Sequence, residues 1–301
     1  MKSKLAGGIY YFDPAGFPLA VRRVQTGSVC APSHPHDLTE VEHHHDFCEL
    51  VIVTQGTALH WLEGRDFPVT AGDVFLLQGR QRHYFHDRKN LGLINIMYDP
   101  EKIRLPENEL RKLPGYCALF ILEPAYRRQH RFESRLHLKR IALAHTEQLA
   151  AEMEKECAEK SAGHEAALRA KLTEVVVYLS RAYIAADTTE ACALLRVGHV
   201  IGALENDFSK NWKLEELLPI AHMSRSNLMR VFRKATGQAP VEYLIRLRIQ
   251  KAMELLRSTD LSITEIALGT GFNDSNYFAR QFGRALNQSP SSYRQSFKIL
   301  R

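Results

Sequence analysis

His43, His45 and Glu49 stand close together in EHHHDFCEL, and His83 follows in GRQRHYF. Alternation along a strand puts His43 and His45 on one face, and Glu49 joins them if the pairing continues. Imidazole nitrogens and a carboxylate oxygen converging from two strands suit Zn²⁺, Mn²⁺, Fe²⁺ or Ni²⁺. The same groups could instead hydrogen-bond a ligand, or one another, with no ion between them. His44 and Cys48 have the opposite parity and are expected to point outward or to pack. His60 and His86 read as ordinary polar residues. A pocket of His, Glu and Arg with aromatics such as Trp61 or Tyr84 suits a polyhydroxylated small molecule, and equally another small metabolite.

The second set of chemical residues is basic. Arg230 in LMRVF (Leu228–Phe232) is matched fifty residues on by Arg280 in FARQF (Phe278–Phe282). Phe232, Pro240 and Tyr243 are likewise matched by Phe282, Pro290 and Tyr293. Glu216-Leu217 is answered by Glu265-Ile266 one residue out of step, so the extra residue falls in a turn. Arginine can bond bidentately to a guanine edge, and two copies in one basic segment point to two helices reading one stretch of duplex DNA.

These residues need helices to carry them. Leu228, Val231 and Phe232 fall at i, i+3 and i+4 over 225–236, leaving Arg225, Ser226, Met229, Arg230 and Arg233 on the outward face. Ser224 can cap that helix and Gly237 is its expected stop. The second copy sets Phe278 and Phe282 inward and offers Asn276, Tyr277, Arg280, Gln281 and Arg284. Asp274 could meet a base edge or, like Ser275, cap the helix. Between the copies, Pro240 opens a helix to about Ser258, a rod of about 28 Å at 1.5 Å per residue. Recognition helices on one face of DNA sit about 34 Å apart, so the rod is a suitable spacer. Pro219 should kink the short helix 213–220.

Charge follows the same division. Residues 193–301 hold sixteen Lys/Arg against nine Asp/Glu, while the rest of the chain is close to neutral. A basic half carrying a repeat points to a phosphate backbone as partner. No apolar run approaches the ~20 residues needed to cross a bilayer, and no secretory leader is evident at the N-terminus. Five cysteines without CxxC spacing suggest reduced thiols and a cytoplasmic protein.

The segment from HMSRSNLMRVF to LRSTDLSITEIALGTGF, YFARQF and SPSSYR resembles the DNA-binding domain of AraC/XylS family transcriptional regulators. The resemblance spans about 196–293 and implies transcription control by major-groove binding to promoter DNA. Leu218-Pro219 departs from the family pattern. The earlier segment, H-x-H-x3-E followed by Gly56, then Gly72 and His83, is similar to the two motifs of the cupin superfamily. Asp37, Gln78, Arg80 and Asp87 depart from its turn positions. HHHDFCELVIVTQG through RQRHYF also resembles the effector domain of the rhamnose-operon regulators within the family, which implies a sugar effector.

The expectation is an α+β protein with three parts: a cupin-like β-barrel for effector binding (1–125), a helical connector (126–192), and an all-α domain with two helix-turn-helix units (193–301). CELVIVTQG, ALHWLEG, VFLLQG and LGLINIMY read as separate short strands. Connector helices are expected over Leu136–Glu159, where Ile141 joins a partial apolar stripe, and over 164–186. Leu168, Leu172, Val175 and Leu179 on the second could cover the barrel or form the seam of a homodimer. Asp187–Ala193 reads as the linker, followed by a helix over 197–208. The function expected is a sequence-specific activator responding to a sugar, with promoter DNA and RNA polymerase as partners. A divalent metal at His43, His45, Glu49 and His83 is the one cofactor to consider. The rival readings are a metal-dependent cupin enzyme acting on a sugar, with DNA binding secondary, and an architectural DNA protein.

Overall fold

Apolar and β-branched residues fill much of 48–62 and the second half of 83–98, neither segment has a proline to interrupt a hydrogen-bond ladder, and these become the two longest strands. The computed structural model describes residues 4–12, 16–25, 41–124, 136–184 and 189–298. The chain divides into two units, Met1–Leu195 and Arg196–Arg301.

In the first unit, strands β1 (Lys4–Leu5), β2 (Leu19–Gln25), β3 (His43–His44), β4 (Cys48–Leu62), β5 (Arg65–Thr70), β6 (Asp73–Leu77), β7 (His83–Tyr98) and β8 (Leu136–His137) form one sheet. Its order is β1-β3-β7-β4-β6-β8, with β2 on β7 and β5 on β4. Every pairing is antiparallel except β1 with β3. The sheet curls so that Val24, Val51, Val53, Phe75, Leu77 and Leu93 from four strands meet in one apolar interior.

Three of the four expected short strands are thus parts of longer ones, while VFLLQG gives the short β6. CELVIVTQG and ALHWL join as β4, because Gly56 sits at a bulge rather than at a turn. Its φ is +70°, and a Cβ there would collide with the Asn90 carbonyl, so glycine alone fits. Register shifts between Val53 and Leu59 accompany it.

Helices α1 (Arg140–Glu159) and α2 (His164–Tyr183) follow. The expected helix start at Leu136 is instead strand β8, which pairs with β6. Arg23 of β2 holds Glu154 of α1 through its Nε at 2.9 Å. Leu168, Leu172, Val175 and Leu179 are each no more than 2% exposed within the single chain. They pack against α1 and the short helical segments at 114–122, so the expected dimer seam is corrected: that stripe is already consumed by the unit's own core. Ile141, expected in the stripe of α1, is instead 86% exposed. The expected linker is corrected too. Residues from Thr189 onward are already helical, in α3 (Thr189–Asn206), while 187 and 188 lie outside the described residues.

The second unit contains α4 (Leu214–Ala221), α5 (Arg225–Thr236), α6 (Pro240–Ser258), α7 (Ile263–Gly269), α8 (Ser275–Leu286) and α9 (Pro290–Lys298). Its packing repeats as its sequence does. Phe232 meets Tyr243 edge-on at 5.7 Å, and Phe282 meets Tyr293 edge-on at 5.5 Å. Both phenylalanines are fully buried. Each such side chain contributes about 1.5–3 kcal/mol by burial alone. The turn of helix α4 runs through Pro219, and His222 closes it in the left-handed conformation.

Candidate functional site

The two exposed recognition faces are set by matched caps. Ser224 accepts from the Asn227 N–H at 3.4 Å, and Asp274 accepts from the Tyr277 N–H at 2.7 Å. Asp274 is therefore the cap of α8, its oxygen Oδ1 engaged by the backbone. The shorter helix of each pair starts alike, with Glu216 accepting from the Lys213 N–H and Glu265 from the Ser262 N–H. These bonds hold both carboxyls below their ordinary range; for Glu216 a hydrogen bond from Lys210 contributes most. With the inward faces spent on Leu228, Val231 and Phe232 and on Phe278 and Phe282, the remaining residues face out. Arg225, Ser226, Arg230, Arg233, Asn276, Arg280 and Arg284 are exposed; Met229, Tyr277 and Gln281 are half-buried. Asn227 accepts from Arg230 Nη2 at 2.7 Å and so fixes the direction of that guanidinium.

In the first unit, His43, His45 and His83 are brought together, each offering one ring nitrogen within 4.8 Å of the others. All three are buried. His43 is delivered by β3, His83 by the start of β7 directly across from it, and His45 by the bend before β4. His43 Nδ1 lies 2.8 Å from the Val41 carbonyl and His45 Nδ1 lies 3.2 Å from the Ala6 carbonyl. Each Nδ1–H donates outward, which leaves Nε2 as the lone pair turned to the cluster. Phe47 stacks on His45 at 4.4 Å and limits its rotation.

His45 Nε2 and His83 Nε2 are 2.9 Å apart. Glu49 Oε2 lies 3.1 Å from the first and 3.8 Å from the second. That oxygen is buried and takes no aligned hydrogen bond among the described residues. Burial pulls His45 toward its neutral form most strongly, yet the Glu49 carboxylate, the Ala6 carbonyl and Asp46 together hold its pKa above the ordinary value. Imidazole nitrogens bound to one ion at about 2.1 Å lie about 3.0–3.4 Å apart, close to the spacing seen. Three converging nitrogens and an orphaned carboxylate oxygen are a donor set that fits a divalent transition metal.

The other sequence-picked residues separate. Trp61 stacks on Tyr84 at 5.1 Å, and both lie on the opposite face of the sheet from His60 and His83. Trp61 is thus not part of the histidine cluster. His86, on that same outer face, is bonded to Asp66 at 2.7 Å. Cys48 is packed, and burial pushes its thiol up to about 11, which leaves it protonated and a poor ligand.

The protein comparisons agree with both halves. A model described as "AraC-like ligand binding domain" matches residues 27–174, and one described as "Helix-turn-helix domain" matches 218–296. The HTH-type transcriptional activator RhaR of Klebsiella pneumoniae subsp. pneumoniae is 32% identical over 282 residues, covering 93% of this chain and 94% of the relative. The HTH-type transcriptional activator RhaS of Klebsiella pneumoniae (strain 342) is 32% identical over 254 residues, covering 84% and 87%. The chain belongs to the AraC/XylS family of transcriptional regulators.

This AraC/XylS-family regulator is a DNA-binding transcription factor, and the family match sets aside the enzyme reading. Among the described residues no helix is long and apolar enough to cross a membrane. Two residues that contact the candidate site residues escaped the sequence. Asn227 was not singled out from the sequence, although its i, i+3 spacing to Arg230 is a usable signal. His60 read as an ordinary polar residue of the barrel but is 2% exposed beside His83.

Proposed function

We propose that the protein is a transcriptional activator that binds a sugar or related polyhydroxylated metabolite in its first unit and reads promoter DNA with α5 and α8. The relatives are named as activators, which supports the direction of control. Arg230 and Arg280 make base contacts at positions about one DNA turn apart, with Arg225, Ser226, Met229, Arg233, Asn276, Tyr277 and Gln281 completing the two surfaces. Asp274 supports the second surface as its cap. Sensing belongs to 1–125, transmission to 126–192 and reading to 193–301, and the bound protein contacts RNA polymerase. Any homodimer must use a surface other than the buried stripe of α2.

The observation that carries the sensing half is the convergence of His43, His45 and His83, with the buried Glu49 oxygen beside His45 and His83. A divalent metal held by these four residues would supply a Lewis-acidic centre for ligand oxygens. A thermal-shift screen of the full chain, with monosaccharides and divalent metals alone and paired, tests this. A stabilising sugar whose effect disappears in His43→Ala supports the site. A stabilising sugar whose effect is unchanged in that variant places the effector elsewhere.

A further inference from the structure

Two of the three clustered histidines have their outer nitrogen tied to a backbone carbonyl, as described above. For the third, His83, Nδ1 lies 3.4 Å from Nε2 of His60. His60 is 2% exposed and belongs to the same antiparallel ladder, two pairs along from His83 and so on the same face. Its ring lies between two phenylalanines, stacked on Phe75 at 5.0 Å and 22° and on Phe85 at 4.5 Å and 18°. A histidine clamped this way on both faces cannot swing, so the direction of Nε2 is fixed.

We infer that His60 is a positioning residue for the metal site: by accepting from His83 Nδ1–H, it holds the His83 ring with Nε2 turned toward His45 and Glu49. The role is the one a carbonyl plays for His43 and His45, supplied here by a side chain. A ligating histidine whose other nitrogen is bonded keeps one tautomer and one ring angle, and loss of such a partner weakens metal binding about 10–100-fold. A simple packing role would give a different pattern, because phenylalanine fills the same slot between Phe75 and Phe85 without offering an acceptor. This inference rests on the proposal that the cluster holds a metal.

The test is titration of the metal-stripped full-length protein with Co²⁺, followed by its visible absorption. Two variants accompany the wild type: His60→Phe, which keeps the aromatic stack, and His60→Gln, which keeps an acceptor. The expected result is a Kd raised about 10–100-fold in His60→Phe, with an altered absorption envelope, and substantial recovery in His60→Gln. Melting of the metal-free His60→Phe protein should match the wild type, which separates positioning from packing. Wild-type affinity in His60→Phe would overturn the inference while leaving the metal site standing, and so would equal losses in both variants. A wild-type protein that binds no Co²⁺ would remove the metal reading itself, and this inference with it.

Discussion

Arg230 and Arg280 share a repeat position, but their surroundings differ. Arg230 is already directed by Asn227, while the matching position beside Arg280 is Tyr277, which packs toward Phe272 at 6.0 Å. Preorganised arginine loses less side-chain freedom when it meets a base. Arg230→Ala and Arg280→Ala should each weaken binding to the specific promoter by about 1–3 kcal/mol and relax base preference at its own position. Anisotropy titrations on specific and random duplexes check this. Equal losses on both duplexes would identify phosphate contacts instead.

Among the elements, the caps are the part most open to measurement. Glu265 is bonded to the Ser262 backbone and side chain, which lowers its carboxyl pKa from an ordinary value of 4.5. A carboxylate with a depressed folded value contributes stability that is present above the unfolded value and is lost as pH falls through the folded one. The melting difference between wild type and Glu265→Gln should therefore be full at neutral pH and shrink below about pH 4.5. A difference that stays constant down to pH 3 would show that the carboxylate charge has no part in the cap. Much of this architecture was legible locally. Leu228, Val231, Phe232 and Gly237 announced α5, and Pro240 announced the start of α6, because helix periodicity and caps are written in neighbouring residues. The fate of the α2 stripe was not legible, since an apolar face looks the same whether its partner is a second chain or the helix before it.

Over the whole molecule, the ligand-binding-domain match and the helix-turn-helix match fall in different units. Replacing His43, His45, Glu49 and His83 together by alanine should leave operator binding intact, because the reading helices belong to the other unit. The response to effector should be lost. Operator footprints with and without the stabilising sugar would show it, and a variant retaining full response would end the assignment of the site. A ligand moves such a protein between states only by its differential affinity for them, so the loss of contacts in the first unit removes the driving force without touching the DNA surface.

Sequence alone carried the resemblance to the family through its motifs, and spacing within short segments showed the repeat, the helices α5 and α8, and the grouping of His43, His45 and His83. Tertiary structure decided which side of the sheet the later residues take. Alternation counted from Glu49 puts Trp61 inside and His60 outside. The register shifts between Val53 and Leu59 reverse that count, so Val51 and Val53 share the interior with Ala58 and Leu62. A bulge inserts residues that strand parity does not register, and its effect depends on the opposing strand. His60 therefore reaches His83, and Trp61 does not, for a reason that lies in the pairing of β4 with β7.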